Sequence, residues 1–88
     1  MTPAIQQNLN EAFEAYSKEQ EFSQQWKCKK YVFDVIYGSG MTPSVPEDIK
    51  IDLSLMAKDF CTRTWVTVEE ANEFCSKINR ILADLPKT

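Results

Sequence analysis

The sequence contains no histidine, only two glycines and only three cysteines. Without histidine, the chain lacks the side chain that most often serves as a general base or metal ligand near neutral pH. The cysteines are odd in number and form no C-x-x-C pair, which argues against a disulfide framework or a zinc site. Glycine-rich phosphate loops and G-x-S-x-G motifs are also missing. We therefore expect no enzyme activity, no metal and no cofactor, and we interpret the cysteines as reduced packing residues.

Long hydrophobic runs are missing as well. No stretch approaches the roughly 18 consecutive apolar residues of a membrane span. The first twenty residues alternate apolar and polar side chains, unlike a signal peptide. These features predict a cytoplasmic protein that makes no contact with a membrane. The length of 88 residues, of which 43% are hydrophobic, suits a single domain over residues 1–88.

The charge is mildly acidic, with 13 Asp and Glu residues against 10 Lys and Arg residues and a formal net charge of -3. A negatively charged surface repels the phosphates of nucleic acids. We therefore expect no direct binding of nucleic acid. A basic protein surface is the better electrostatic match.

Proline and glycine are concentrated in residues 38–46, which hold both glycines and two of the four prolines. This composition predicts a loop between two helical halves. In the first half, apolar residues recur at a spacing of three and four and predict two helices. Thr2 is suited to cap the first helix, which has Pro3 at its first position. The second helix is predicted to end near Tyr37, with Gly38 in a left-handed conformation.

The second half contains two pairs with the spacing of a capping box, Ser44 with Glu47 and Thr67 with Glu70. In such a box each side chain binds one of the otherwise unpaired amides at the start of a helix. The pairs predict where the third and fourth helices begin. After the second pair, a continuous apolar stripe makes the last helix the clearest of the four.

The segment between these two starts is ambiguous. Residues 49–55 fit a helical face but also alternate as a strand would, and residues 61–66 are rich in β-branched and aromatic side chains. A single isolated strand would have no partner, so we favour a helix. The predicted fold is all-α, an antiparallel four-helix bundle with a loop at residues 38–46. The alternative is an α+β domain with a short strand near residues 49–55 or 61–66.

Acidic and aromatic side chains mark a candidate partner-binding surface. Asp48, Asp52 and Asp59 are spaced to share one face of the third helix. Such a face is typical either of a solvent-exposed helix surface or of a contact with a basic protein. Trp65 and Tyr37 do not fit the apolar stripes, and aromatic residues left near a surface often anchor protein interfaces.

A second candidate surface combines Lys27, Lys29 and Lys30 with Tyr31. Cationic and aromatic side chains together are typical of surfaces on which bases stack while phosphates are neutralised. The competing interpretation is a solvated helix face on which all three lysines point into water. If the lysines do act as ligands, the chain would be an oligomeric helical protein that binds a small nucleotide.

Three stretches resemble the small four-helix immunity proteins of the colicin D type. The similarity covers about residues 20–85 and rests on apolar spacing and a few identities. It lies in Glu21-Phe-Ser…Ile36-Tyr-Gly38, in Ile49…Leu53-Ser-Leu-Met-Ala-Lys-Asp-Phe60 and in Ile78-Asn-Arg-Ile-Leu-Ala-Asp-Leu85. The chain departs from that family at residues 61–65, where a strongly acidic loop is typical and this sequence has an arginine.

The resemblance implies an inhibitor that covers the basic active site of a tRNA-cleaving toxin domain. Carboxylates would stand where RNA phosphates bind, and Asp59 is the position best matched to the family's inhibitory face. An immunity protein of a contact-dependent growth-inhibition system would tolerate the difference at residues 61–65. The alternative is a phage or mobile-element accessory protein that inhibits a host factor. In each case we expect a monomer or a weak homo-oligomer.

Overall fold

The structure, a computed structural model, describes residues 2–85. These residues form four α-helices: α1 (Pro3–Ser17), α2 (Gln24–Val35), α3 (Glu47–Cys61) and α4 (Val68–Ala83). A π-helical turn, Ile36–Gly40, continues α2. The predicted all-α fold with four helices is confirmed. Residues 49–55 are helical and residues 61–66 form the end of α3 and a loop, so within residues 2–85 neither alternative strand exists.

Two of the predicted helix starts are confirmed by their hydrogen bonds. The Thr2 hydroxyl accepts a hydrogen bond from the Ile5 amide, at 3.4 Å. At α4, the Thr67 hydroxyl accepts from the Glu70 amide while the Glu70 carboxylate accepts from the Thr67 amide, which completes a capping box. The carboxylates of Glu69 and Glu70 also lie in the first turn, where they offset the helix dipole.

The predicted capping box between Ser44 and Glu47 is wrong. The N-cap of α3 is Pro46, which provides no side-chain hydrogen bond, and the Ser44 hydroxyl pairs with that of Thr42 instead. A box at Ser44 would require Val45 to be helical. The residue before a proline avoids the helical region, because the proline ring clashes with it. The helix therefore starts one residue after Pro46.

The predicted left-handed end of α2 at Gly38 is also wrong. Neither glycine has a positive φ, and the chain continues in a helical sense through Gly40. A Cβ placed on Gly40 would lie 2.7 Å from Leu53 Cδ1, whereas one on Gly38 would meet nothing within 4 Å. Gly40 is thus required for the close approach of the π-helical turn to α3 rather than for its backbone angles.

Consecutive helices run antiparallel, so α1 and α3 run in the same direction. Asn8 donates a hydrogen bond to the Ser54 hydroxyl at 3.1 Å, and Glu11 pairs with Lys58 at 2.9 Å. Small buried side chains let these two helices approach closely. They are Ala12, Ser54, Ala57 and Cys61.

The four helices form two layers, α1 with α3 and α2 with α4, and the molecule measures 41 × 27 × 16 Å. α1 packs on α3, α2 packs on α4, and α2 also contacts α1 and α3. The core between the layers contains the fully buried Ile5, Val32, Ile36, Leu53, Phe60, Val66 and Ile78. None of the helices within residues 2–85 has the length and apolar character needed to cross a membrane.

Candidate protein-binding site

The α3–α4 loop, residues 62–67, is fastened to α2 by two buried polar side chains. The Gln25 amide makes two hydrogen bonds with the backbone of Val66, one to its carbonyl and one from its amide, each 2.8 Å long. One turn further along α2, the Lys29 ammonium donates to the carbonyl of Arg63 at 2.7 Å. The loop is therefore held at both ends, although it contains no regular secondary structure.

Lys29 is buried, which contradicts the expectation that all three lysines of this segment are solvated. Its side chain is 2% exposed and its ammonium lies 2.5 Å from a carboxylate oxygen of Glu19. Burying an ammonium is costly unless it is paired and hydrogen-bonded. The Glu19 carboxylate and the Arg63 carbonyl supply those partners. Lys29 thus ties the turn between α1 and α2 to the α3–α4 loop and is not available at the surface.

Trp65 lies between the two fastened positions and is 66% exposed. The next residue, Val66, is fully buried in the core. The loop thus turns one side chain inward and holds its neighbour out in water. A large aromatic side chain on a fixed backbone loses little conformational entropy when a partner covers it. Trp65, which the sequence marks as a candidate interface residue, therefore has the surroundings of an interface anchor.

The acidic face of α3, formed by Asp48, Asp52 and Asp59, is exposed along its whole length. Asp59 is bound by Arg63 at 2.9 Å, whereas Asp48 and Asp52 make no ion pair with any part of the chain that the structure describes. The first two positions of the acidic face, Asp48 and Asp52, therefore carry its uncompensated charge. They are the carboxylates free to meet a basic partner.

Arg63 links the acidic face to the α3–α4 loop. Its guanidinium binds Asp59 at 2.9 Å and Glu70 at 3.3 Å, and it lies 4.9 Å from the ring centroid of Phe74. The positive charge that distinguishes residues 61–65 from the immunity family is thus used inside the molecule. It leaves the loop with no free positive charge at this position.

A groove of about 540 Å³ runs between α3 and α4. Its surface is mostly apolar, and Leu55 at its edge is 46% exposed. We call it the α3–α4 groove. Its lining residues are Leu55, Met56 and Asp59 of α3 with Phe74, Lys77, Arg80 and Ile81 of α4.

Tyr37 lies apart from the other predicted site residues. Its ring stacks on that of Phe33 with centroids 5.7 Å apart. Together with Phe13 of α1, it lines a separate cavity of about 350 Å³ between α1 and the end of α2. The structure therefore places Trp65 in the loop that follows Asp59, the carboxylate bound by Arg63, whereas Asp48 and Asp52 lie in the first half of α3 and Tyr37 lies apart from all of them.

The alternative nucleotide-binding residues do not converge on one point. Lys27 is exposed, and Lys29 is buried beneath the loop. Lys30 binds Asp34 at 2.6 Å, and this hydrogen bond raises the pKa of its ammonium. The neighbouring Cys75 thiol raises the pKa of Tyr31. Of the three lysines in this segment, Lys27 and the already paired Lys30 are the two whose ammonium groups a phosphate could reach.

The three cysteines are free and buried. Burial raises the pKa of each thiol, and raises that of Cys61 from 9.0 to about 12. The reactive form of cysteine is the thiolate, so these side chains are inert near neutral pH. No group of three or more His, Cys, Asp or Glu side chains within residues 2–85 is arranged to hold a metal ion. No family model, curated protein or solved structure matches the chain.

Proposed function

We propose that the protein is a non-catalytic inhibitor that acts by binding another protein in the cytoplasm. The surface that would make the contact is the acidic face of α3 together with Trp65 of the α3–α4 loop. The observation that carries the proposal is Trp65 itself, a tryptophan 66% exposed on a loop that two buried side chains hold in place.

The chemistry of this surface favours a basic partner. Asp48 and Asp52 are unpaired within residues 2–85, and the chain as a whole has a net charge of -3. Complementary charge speeds the encounter of two proteins and fixes their register, while a buried aromatic anchor supplies much of the affinity. The resemblance to colicin D type immunity proteins suggests the active site of a nuclease toxin as that basic surface. In that case the carboxylates would occupy the positions of RNA phosphates.

The test is to capture the partner with the tagged protein from lysate of the source strain, wash at increasing salt, and identify what is retained. We expect a basic nuclease domain that dissociates as salt rises, because screening weakens exposed charge pairs. The purified domain should cleave RNA, and an equal amount of this protein should stop the cleavage. Capture of a host enzyme instead would favour the accessory-protein alternative, and a captured nuclease that stays active would overturn the proposal.

Two exposed aromatic residues provide a matched pair for locating the surface. Trp65→Ala should weaken binding of the captured domain by about 2 kcal/mol or more, as expected for an interface hot spot. Tyr37→Ala removes an exposed ring from the opposite hairpin and should leave the affinity unchanged. The reverse result would place the contact on the α1–α2 side.

A further inference from the structure

The α3–α4 groove exists because α4 leans on α2 rather than on α3. Near the loop, α3 and α4 meet through the rings of Phe60 and Phe74, whose centroids are 4.8 Å apart. Further from the loop the groove opens, with Leu55 and Met56 on one wall and Ile81 on the other. Part of the apolar surface of α3 and of α4 is thus left uncovered. The apolar side of an amphipathic helix is normally buried against another helix or sheet.

The two walls carry opposite charges. On α3, Asp52 and Asp59 flank Leu55 along the acidic face, at three residues before it and four after it. Asp59 lines the groove and is bound by Arg63, whereas Asp52 makes no ion pair within residues 2–85. On α4, Lys77 and Arg80 line the groove and make no ion pair with the residues that the structure describes. The occupant of the groove must therefore offer a positive side to α3, a negative side to α4 and an apolar side between them.

A second copy of the chain meets these requirements. We propose that two copies associate through their α3–α4 grooves about a twofold axis parallel to these helices. This axis places α3 of each copy against α4 of the other, so that the acidic wall of one faces the basic wall of its neighbour. A twofold interface uses the same surface on both subunits, and a surface that is itself complementary is what such symmetry needs.

The axis also fixes which residues meet. Rotation about an axis parallel to the helices keeps every residue at its own height along the bundle. The Phe60–Phe74 contact places Leu55 level with Arg80 within one subunit. Asp59 then lies within one helical turn of Lys77 of the second copy, and Asp52 within one turn of its Arg80. Leu55 of each copy enters the groove of the other.

The other face-to-face arrangement is disfavoured by charge. An axis perpendicular to the helices would place α3 against α3, with Asp48, Asp52 and Asp59 facing the same residues. Like charges set opposite each other in an interface are destabilising. The dimer goes beyond the proposed inhibition and does not depend on it. Because Asp52 and Asp59 belong to both surfaces, a second copy and a basic partner would compete for α3.

Sedimentation equilibrium of the purified protein over a dilution series tests the dimer directly. Two double variants each reverse the charge of one wall of the groove. The first combines Asp52→Lys with Asp59→Lys, and the second combines Lys77→Glu with Arg80→Glu. Each alone should raise the dimer dissociation constant by at least about tenfold. An equimolar mixture of the two should restore association, because every acidic wall then faces a basic one. Lys27→Glu, on exposed α2 surface, should leave the wild-type constant unchanged.

Circular dichroism of each variant verifies that it is folded before its association is measured. Leu55→Asp provides an independent probe of the apolar contact and should give a monomer. A wild-type protein that stays monomeric at the highest concentration would overturn the proposal. So would a mixture that associates no better than its two components. Neither result would bear on the capture of a toxin, which is measured with a different partner.

Discussion

The side-chain amide of Gln25 pairs with the backbone of Val66 as a neighbouring strand would. Its Nε2 donates to the Val66 carbonyl and its Oε1 accepts from the Val66 amide, both at 2.8 Å. Gln25 is 8% exposed and Val66 is fully buried, so water cannot replace these bonds without opening the core. Gln25 therefore holds the end of the α3–α4 loop that leads into α4, while Lys29 holds its start at Arg63.

Replacing Gln25 by alanine should destabilise the fold by about 2 to 6 kcal/mol. The substitution leaves a buried amide and a buried carbonyl unpaired, and each unsatisfied group costs about 1 to 3 kcal/mol. Urea unfolding followed by circular dichroism measures the change. Gln24→Ala alters the exposed neighbour at the first position of the same helix and should change the free energy of unfolding by less than about 0.5 kcal/mol. Equal effects of the two would mean that the Gln25 bonds contribute little.

The two glycines of the π-helical turn should respond differently to alanine. Gly40→Ala places a methyl group 2.7 Å from Leu53 Cδ1, and Leu53 is fully buried, so neither can move freely. We expect a loss of about 1 to 3 kcal/mol from overpacking. Gly38→Ala meets nothing within 4 Å and has no positive φ, so it should be neutral or slightly stabilising. Thermal unfolding of both variants distinguishes these outcomes, and an equal loss would contradict the steric explanation.

The sequence was sufficient to predict the helices, because their apolar spacing is regular and the capping residues Thr2 and Thr67 mark two of their starts. A third capping residue, Ser23 at the start of α2, was not predicted. The sequence also predicted that Trp65 and the acidic face would be exposed. It was misleading at Ser44, where the capping spacing is correct but the constraint that Pro46 places on Val45 prevails. It was also misleading at Gly38, since a glycine after an apolar stripe suggests a helix end whether or not the helical path continues.

The anchors of the α3–α4 loop were missed. Gln25 and Lys29 are one turn apart on the same stripe as the buried Val32 and Ile36. Two polar residues on an apolar stripe are a detectable signal for buried hydrogen bonds. Their partners could not be inferred, because the Val66 and Arg63 carbonyls are backbone groups that any residue carries. The α3–α4 groove could not be predicted either, because it exists only where α4 packs on α2 rather than on α3.

Phe22 has a left-handed backbone, with φ of 68°, and its ring packs edge-on against Trp26. A left-handed conformation costs a residue with a side chain about 1 to 2 kcal/mol, whereas glycine adopts it freely. Phe22→Gly and Phe22→Ala both remove the ring, but only glycine relieves the backbone. We expect the glycine variant to be more stable than the alanine variant by about 1 kcal/mol in urea unfolding. The opposite order would show that the turn before α2 relaxes to another conformation.

The buried thiol of Cys61 should make the fold less stable at high pH. Its pKa is raised from 9.0 to about 12, chiefly because burial disfavours the thiolate. Between these two values the unfolded chain loses the proton and the folded chain keeps it, so the free energy of unfolding falls as pH rises. Below about pH 9, the thiol is protonated in both states and its full contribution to the free energy of unfolding is present. The expected slope from one such group is up to about 1.4 kcal/mol per pH unit.

Urea unfolding from about pH 8 to about pH 11 measures this dependence. Tyr16, Tyr31, Cys28 and Cys75 also have raised pKa values and add to the same trend, so the contribution of Cys61 must be isolated by substitution. Cys61→Ala should lower stability at neutral pH through the lost packing and, at the same time, flatten the decline above pH 9. Cys28→Ala removes a less deeply buried thiol and should reduce the decline in stability above pH 9 by a smaller amount. A decline that is unchanged in Cys61→Ala would show that the thiol ionises as readily in the folded protein as in the unfolded chain.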